Sequence, residues 1–272
     1  MPQLCALALL AIFSGQCLAA EIRAFSLAQT EALGRALYEL DRRASIAAEM
    51  VDEHYDPQAE GIVSWVVDGD AKHTVVRFIK RGDVAMEAVV DAEFNDLLLP
   101  VLKRPTDRRL TPFQQAQVAA REIAQPYLRT PCARNYDSAA LHDPSGNGLL
   151  IYALALPENK AEIPIGGHHR FSMSADGKTM RKADALSTSC VTTDLEKLRA
   201  ADGVSGLAIR ANLSDIPLET HVYLSLLHKV SLYVVTRDLK MWKIEAGKMR
   251  VVREKPGELS TAESSPSAPG WE

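Results

Sequence analysis

The residues with the most chemical capacity in this chain fall in one short run, GGHHRFSMSADGKTMRKADALSTSC at positions 166–190. It holds adjacent imidazoles at His168 and His169, the carboxylate of Asp184 and the thiol of Cys190. An imidazole beside a carboxylate is the start of an acid–base pair or a metal site, and a thiol among cations is the start of a nucleophile. The spacing argues for something plainer. Asp176 and Gly177 form the dipeptide of a two-residue hairpin turn. With that turn as the loop, Met173 faces Met180, Phe171 faces Lys182 and His169 faces Asp184. Lys182 on the apolar side is the misfit, and it demands a bulge or a lysine that reaches past the sheet edge. Successive strand side chains leave opposite faces, so His168 and His169 cannot chelate one ion together. His169 beside Asp184 is expected to be a cross-strand hydrogen bond that raises the imidazole pKa.

A metal site at either histidine needs ligands from elsewhere, such as His221, His228 or Asp215, and no local zinc spacing is present. His221 and His228 flank VYLSLL, which reads as a strand. Extended chain at about 3.3 Å per residue then sets them more than ~20 Å apart. The sequence holds no GxSxG, HExxH or phosphate-loop motif, and GNG at 146–148 and GG at 166–167 read as turns. His168, His169, Asp184 and His221 are therefore the candidate functional cluster, against the plainer reading of polar residues on a sheet. No catalytic residue, metal or cofactor is assigned.

The compartment decides how the thiols behave. The segment MPQLCALALLAIFSGQCLAAE is uncharged up to Glu21, with an apolar run from Leu4 to Phe13. That is shorter than the ~20 residues a spanning helix needs, and it matches a secretory signal cleaved after Ala19-Ala20. Cleavage removes Cys5 and Cys17 and leaves Cys132 and Cys190, which in an oxidising compartment are expected to form one bridge. The mature chain is then periplasmic or secreted, with no transmembrane segment.

The elements that must position these residues read as α+β. The 272 residues are 47% hydrophobic and 24% charged, a balance that favours folded globular modules over disorder. With 31 Lys and Arg against 35 Asp and Glu the net charge is −4, so no positive field invites nucleic acid. After the signal at 1–20, a first module is expected over 21–99. Ser26 and Gln29 make a capping box, and Leu33, Leu37, Leu40, Ala44, Ala47 and Val51 form one stripe down a long helix. The stripe fits a helix laid on its own sheet, or self-association through that face. Three strands follow, separated by DGDAK and KRGD. A linker is expected at 100–110. A second module, 111–253, opens with Thr111, Pro112 and Gln114 as a helix start and continues into antiparallel strands. Within it, a short helix is expected from Asp194, capped by Thr193. Two helix-plus-three-strand modules, and hence an internal repeat, are one reading of this order. The segment 254–272, dense in Pro, Ser and Glu, is expected to be disordered.

The signal, the DGK hairpin, the STSC ending, and the closing YVVT and MWKIEAGKMRVV strands resemble those of uncharacterised secreted proteins of Gram-negative bacteria, mainly over residues 145–252. Helices on antiparallel meander sheets are similar to cystatin-like and PepSY-type modules, which bind or inhibit proteins. The resemblance implies a non-catalytic binding or accessory module whose partner is an unknown protein or small ligand. The alternative is a hydrolase or metal-dependent enzyme that gathers His169, Asp184 and His221 from separate strands.

Overall fold

The computed structural model describes residues 21–70, 72–95, 98–128, 132–159, 161–194 and 206–253. The expected signal at 1–20 and tail at 254–272 lie outside them. The fold is α+β, with three α-helices and several largely antiparallel sheets among the described residues.

Helix α1 (Leu27–His54) begins where its chemistry dictates, since Ser26 and Gln29 close the capping box. Its stripe serves two cores. Leu33 and Leu37 enter one, and Ala47 and Val51, a few turns on, enter another. All four side chains are buried within this chain, while Leu40 and Ala44 of the same stripe are half-buried.

The second of these cores belongs to the first sheet, an antiparallel meander of β1 (Ile62–Gly69), β2 (His73–Arg81), β3 (Met86–Asn95) and β4 (Val101–Lys103). The segment expected as a linker thus supplies β4. Helix α2 (Pro112–Ala124), capped by Thr111 and Gln114 as its sequence demands, covers the sheet's other face. There the Gln117 side chain imitates a strand. Its Nε2 donates to the Val67 carbonyl at 2.6 Å and its Oε1 accepts from the Val67 N–H at 3.2 Å. A 3₁₀ turn over Gln125–Leu128 ends the helix.

The opposite side of α2, through Ala116, Ala120 and Ala124, packs on the second sheet. That sheet comprises β5 (Tyr136–His142), β6 (Leu149–Ala155), β8 (His169–Met173) and β9 (Met180–Ala185), in the order β5-β6-β8-β9 and antiparallel throughout. Both its faces are covered, which is why every residue of β6 is buried and its sequence is a continuous apolar run. The short strand β7 (Glu162–Pro164) pairs with β10 (Thr192–Asp194). Thr193 and Asp194, read as the start of a helix, are therefore strand residues, and the rest of that expected helix lies outside the described residues.

Beyond the second sheet lies α3 (Glu219–His228), and beyond it a third sheet of β11 (Gly206–Arg210), β12 (Ser231–Val235), β13 (Met241–Glu245) and β14 (Lys248–Arg253). β11 runs parallel to β12, and the remaining pairs are antiparallel. The expected strand VYLSLL is the body of α3, a correction with a physical cause. From Glu219 to Ser225 every side chain is buried, because α1 and two sheets enclose the helix. A helix wrapped on all sides has no polar face to reveal its period.

Candidate functional site

The hairpin register forms as expected at its turn and then departs. Met173 pairs with Met180, but Arg181 bulges, so Ser172 faces Lys182, Arg170 faces Asp184 and His169 faces Ala185. The bulge relieves the misfit at Lys182 and moves Asp184 to the opposite face of the sheet from His169. The expected His169–Asp184 hydrogen bond does not exist. His169 instead lies in a ring stack, 6.1 Å from Phe171 between centroids, and burial lowers its pKa where a carboxylate neighbour would have raised it.

His168 and His169 do leave opposite faces of the chain. His168 is buried and fully committed. Its Nδ1 accepts from the Ala155 N–H at 3.0 Å and its Nε2 donates to the Pro164 carbonyl at 3.1 Å. Burial pushes its pKa down to about 4, so the ring is neutral and serves as a spacer between β6 and β7.

Asp184 belongs to a different assembly. Arg170, wholly buried, donates to Asp184 at 2.8 Å and to Glu219 at 2.5 Å. Tyr152 donates its hydroxyl to the same Glu219 oxygen at 2.9 Å. The segment entering from the N-terminal side closes the cluster. The Arg23 N–H donates to Asp184 at 3.2 Å, the Arg23 carbonyl accepts from Arg170, and the Phe25 ring centroid lies 4.7 Å from the guanidinium. Arg23 then grips Asp143 with both terminal nitrogens, at 2.5 and 2.7 Å, holding that carboxyl down to about 2. Burial opposes the Arg170 charge, but Glu219 and Asp184 keep it above its ordinary range. Burial and the neighbouring Glu219 likewise raise the Tyr152 hydroxyl far above its usual value. Arg170, Asp184, Glu219 and Tyr152 at its centre are shut off from solvent, and the network ties α3, the second sheet and the N-terminal segment together. Of its members only Asp184 was singled out as a candidate in the sequence.

His221 lies at the first turn of α3, where its Nδ1 accepts from the Leu218 N–H at 3.0 Å and completes half a capping box. In the neutral ring that leaves the proton on Nε2. Burial, helped by His168, drives the pKa to about 4, so the ring stays uncharged at neutral pH. His221 also contributes to a cleft of about 510 Å³, within the ~300–1,000 Å³ range of small-ligand sites. Ile165, Leu186, Leu207, Ile209 and Leu218 give the cleft an apolar character, and hydroxyls of Ser187, Thr188, Ser189, Thr192 and Thr193 contribute to its lining. The four candidates are thus divided. His168 and His221 lie near one another, Asp184 is sequestered with Arg170, and His169 lies behind the sheet. Among the described residues no three His, Cys, Asp or Glu side chains converge as a metal site would require.

Cys132 and Cys190 are joined, with Cα atoms 5.1 Å apart. The bridge fastens one wall of the cleft, because the next residue, Val191, accepts through its carbonyl from the Ile165 and Gly166 N–H groups. Gly167 lies beneath it at φ +87°, where a Cβ would sit 2.4 Å from that of Cys132. The glycine pair read as a turn is thus also the floor on which the bridge rests. No helix among the described residues is long and apolar enough to cross a membrane. Comparison with protein families, with curated proteins and with solved structures finds no match to this chain.

Proposed function

We propose that this protein is an exported, non-catalytic binding or accessory module of the bacterial envelope, and that its ligand occupies the cleft lined by His221. One observation carries the reading: an apolar-floored cleft contains a neutral imidazole whose Nε2 proton meets no acceptor among the described residues, and its wall is stapled by a disulfide. A neutral donor in an apolar recess orients a ligand without binding charge. The enzyme alternative loses support, since His169, Asp184 and His221 occupy three separate environments. The bridge supports an oxidising compartment.

Expression with the native leader followed by fractionation tests export, the expected result being a mature chain whose mass begins at Glu21 in the envelope fraction. Binding of the apolar dye ANS tests the cleft. Fluorescence should rise with the wild type and fail to rise with Thr188→Trp, which plants an indole at the cleft's rim. Cytosolic retention with both thiols open to alkylation, or equal ANS fluorescence from the two proteins, overturns the proposal.

A further inference from the structure

The cleft is bounded by the edges of two strands from different sheets. β11 uses one edge to pair with β12, and because the Ala211 N–H donates to the Val235 carbonyl at 2.8 Å, the odd-numbered N–H groups of this segment point toward β12. In a strand the neighbours alternate, so Ala208 and Arg210 turn their N–H and C=O groups the other way. β10 has the same property. Pro164 has no N–H to give its partner Thr192, while the Ile165 N–H donates to Val191 at 2.7 Å, so the ladder bonds fall at Val191 and Thr193. Thr192 therefore faces away from β7. Thr192, Ala208 and Arg210 all line the one cleft, and among the described residues none of these outward backbone groups meets a partner.

Unpaired backbone on two edges that share a groove is a template for a strand. We infer that the ligand is an extended polypeptide segment that adds between β10 and β11, joining the β7–β10 pair and the third sheet into one continuous sheet. The inference rests on the proposed use of the cleft and deepens it. β11 offers five residues, a length of about 16 Å at ~3.3 Å per residue, so the segment engages four or five residues. Backbone pairing supplies affinity without regard to sequence, and alternate side chains supply preference. Those directed inward meet Leu207, Ile209 and Leu218, with the His221 Nε2–H available to one acceptor; those directed outward remain in water beside the exposed Arg210. The partner is thus a chain with apolar residues at every second position.

The test uses the oxidised mature protein and a displayed library of random heptapeptides, followed by synthesis of the best binder with each amide N-methylated in turn. Ladder pairing predicts that methylation weakens binding about tenfold at every second amide and by less than about twofold between. Thr188→Trp should abolish binding. Ala208→Pro, which removes one outward N–H and leaves the β12 ladder whole, should weaken it about tenfold while the far-UV circular dichroism stays that of the wild type. Failure to select any peptide, or a methylation scan without alternation, overturns the strand inference. If ANS still distinguishes wild type from Thr188→Trp in that case, the cleft remains the binding site for another ligand class; if it does not, the cleft assignment falls as well.

Discussion

Arg170 is held entirely out of water by two carboxylates, a tyrosine hydroxyl and a phenyl ring. Breaking such a cluster from one side is far more damaging than replacing it whole, because a lone charge is left buried. Glu219→Ala should therefore cost about 3–5 kcal/mol in urea unfolding at pH 7, and Arg170→Met paired with Glu219→Leu should cost less than that single change. If the double variant is instead as unstable as the sum of its parts, the two residues do not act as a unit. His168, Arg170 and Ser172 alternate along the chain with His169, Phe171 and Met173, so the sequence shows a polar face on this strand. It does not show that α3 and residues 23–25 close over that face, since both contacts span more than forty residues of chain. The bulge at Arg181 was foreshadowed by Lys182, a misfit on the apolar side of an unbroken ladder. Its consequence, the transfer of Asp184 from His169 to Arg170, depends on which residue is skipped, and local spacing cannot specify that.

Helix α3 was illegible for a different reason. Its Val222 and Tyr223 favour strands by propensity, and burial on all sides erases the helical stripe; only Glu219 in the first turn marks its start. The exposed signals elsewhere were reliable, as the capping boxes of α1 and α2 attest. α3 also depends on a feature of α1 that the stripe does not reveal. A Cβ on Gly34 would lie 2.4 Å from the Val222 Cβ and 2.6 Å from the Glu219 carbonyl, so the two helices cross where one has no side chain. Alanine is the better helix former by about 1 kcal/mol, yet overpacking at a closed interface costs roughly 1–3 kcal/mol. Gly34→Ala should lower Tm, and a rise in Tm would show that the crossing is loose. At Gln117 the same logic concerns hydrogen bonds. Gln117→Leu preserves bulk but strands the buried Val67 amide and carbonyl, an expected loss of about 1–3 kcal/mol in denaturant unfolding.

For the molecule as a whole, stability should respond to acid through groups that burial has displaced. His168 and His221 sit near 4 in the fold against an ordinary 6.5. As pH falls below about 6.5 the unfolded chain takes up these protons and the fold does not, so stability is lost progressively down to about pH 4, by up to about 3 kcal/mol per histidine. Asp41 works in the opposite sense. Burial, relieved in part by the Tyr223 hydroxyl and reinforced by Asp137, lifts it to about 6 from 3.8, so it weakens the fold as pH rises across that window. The two effects overlap between about pH 4 and 6, with the histidines the larger. Urea midpoints measured across this range should therefore climb with pH in the wild type, more steeply in Asp41→Asn and less steeply in His221→Gln, whose amide preserves the capping contact to Leu218. Reduction of the bridge, which closes a separation of 58 residues, should lower the unfolding free energy of all three proteins by about 4 kcal/mol without changing the slopes, since a free thiol ordinarily titrates near about 8.5, above this window, and neither histidine is hydrogen-bonded to either cysteine. Three parallel profiles before reduction would mean that the imidazoles are hydrated in the fold, and the cleft would then lose its neutral donor.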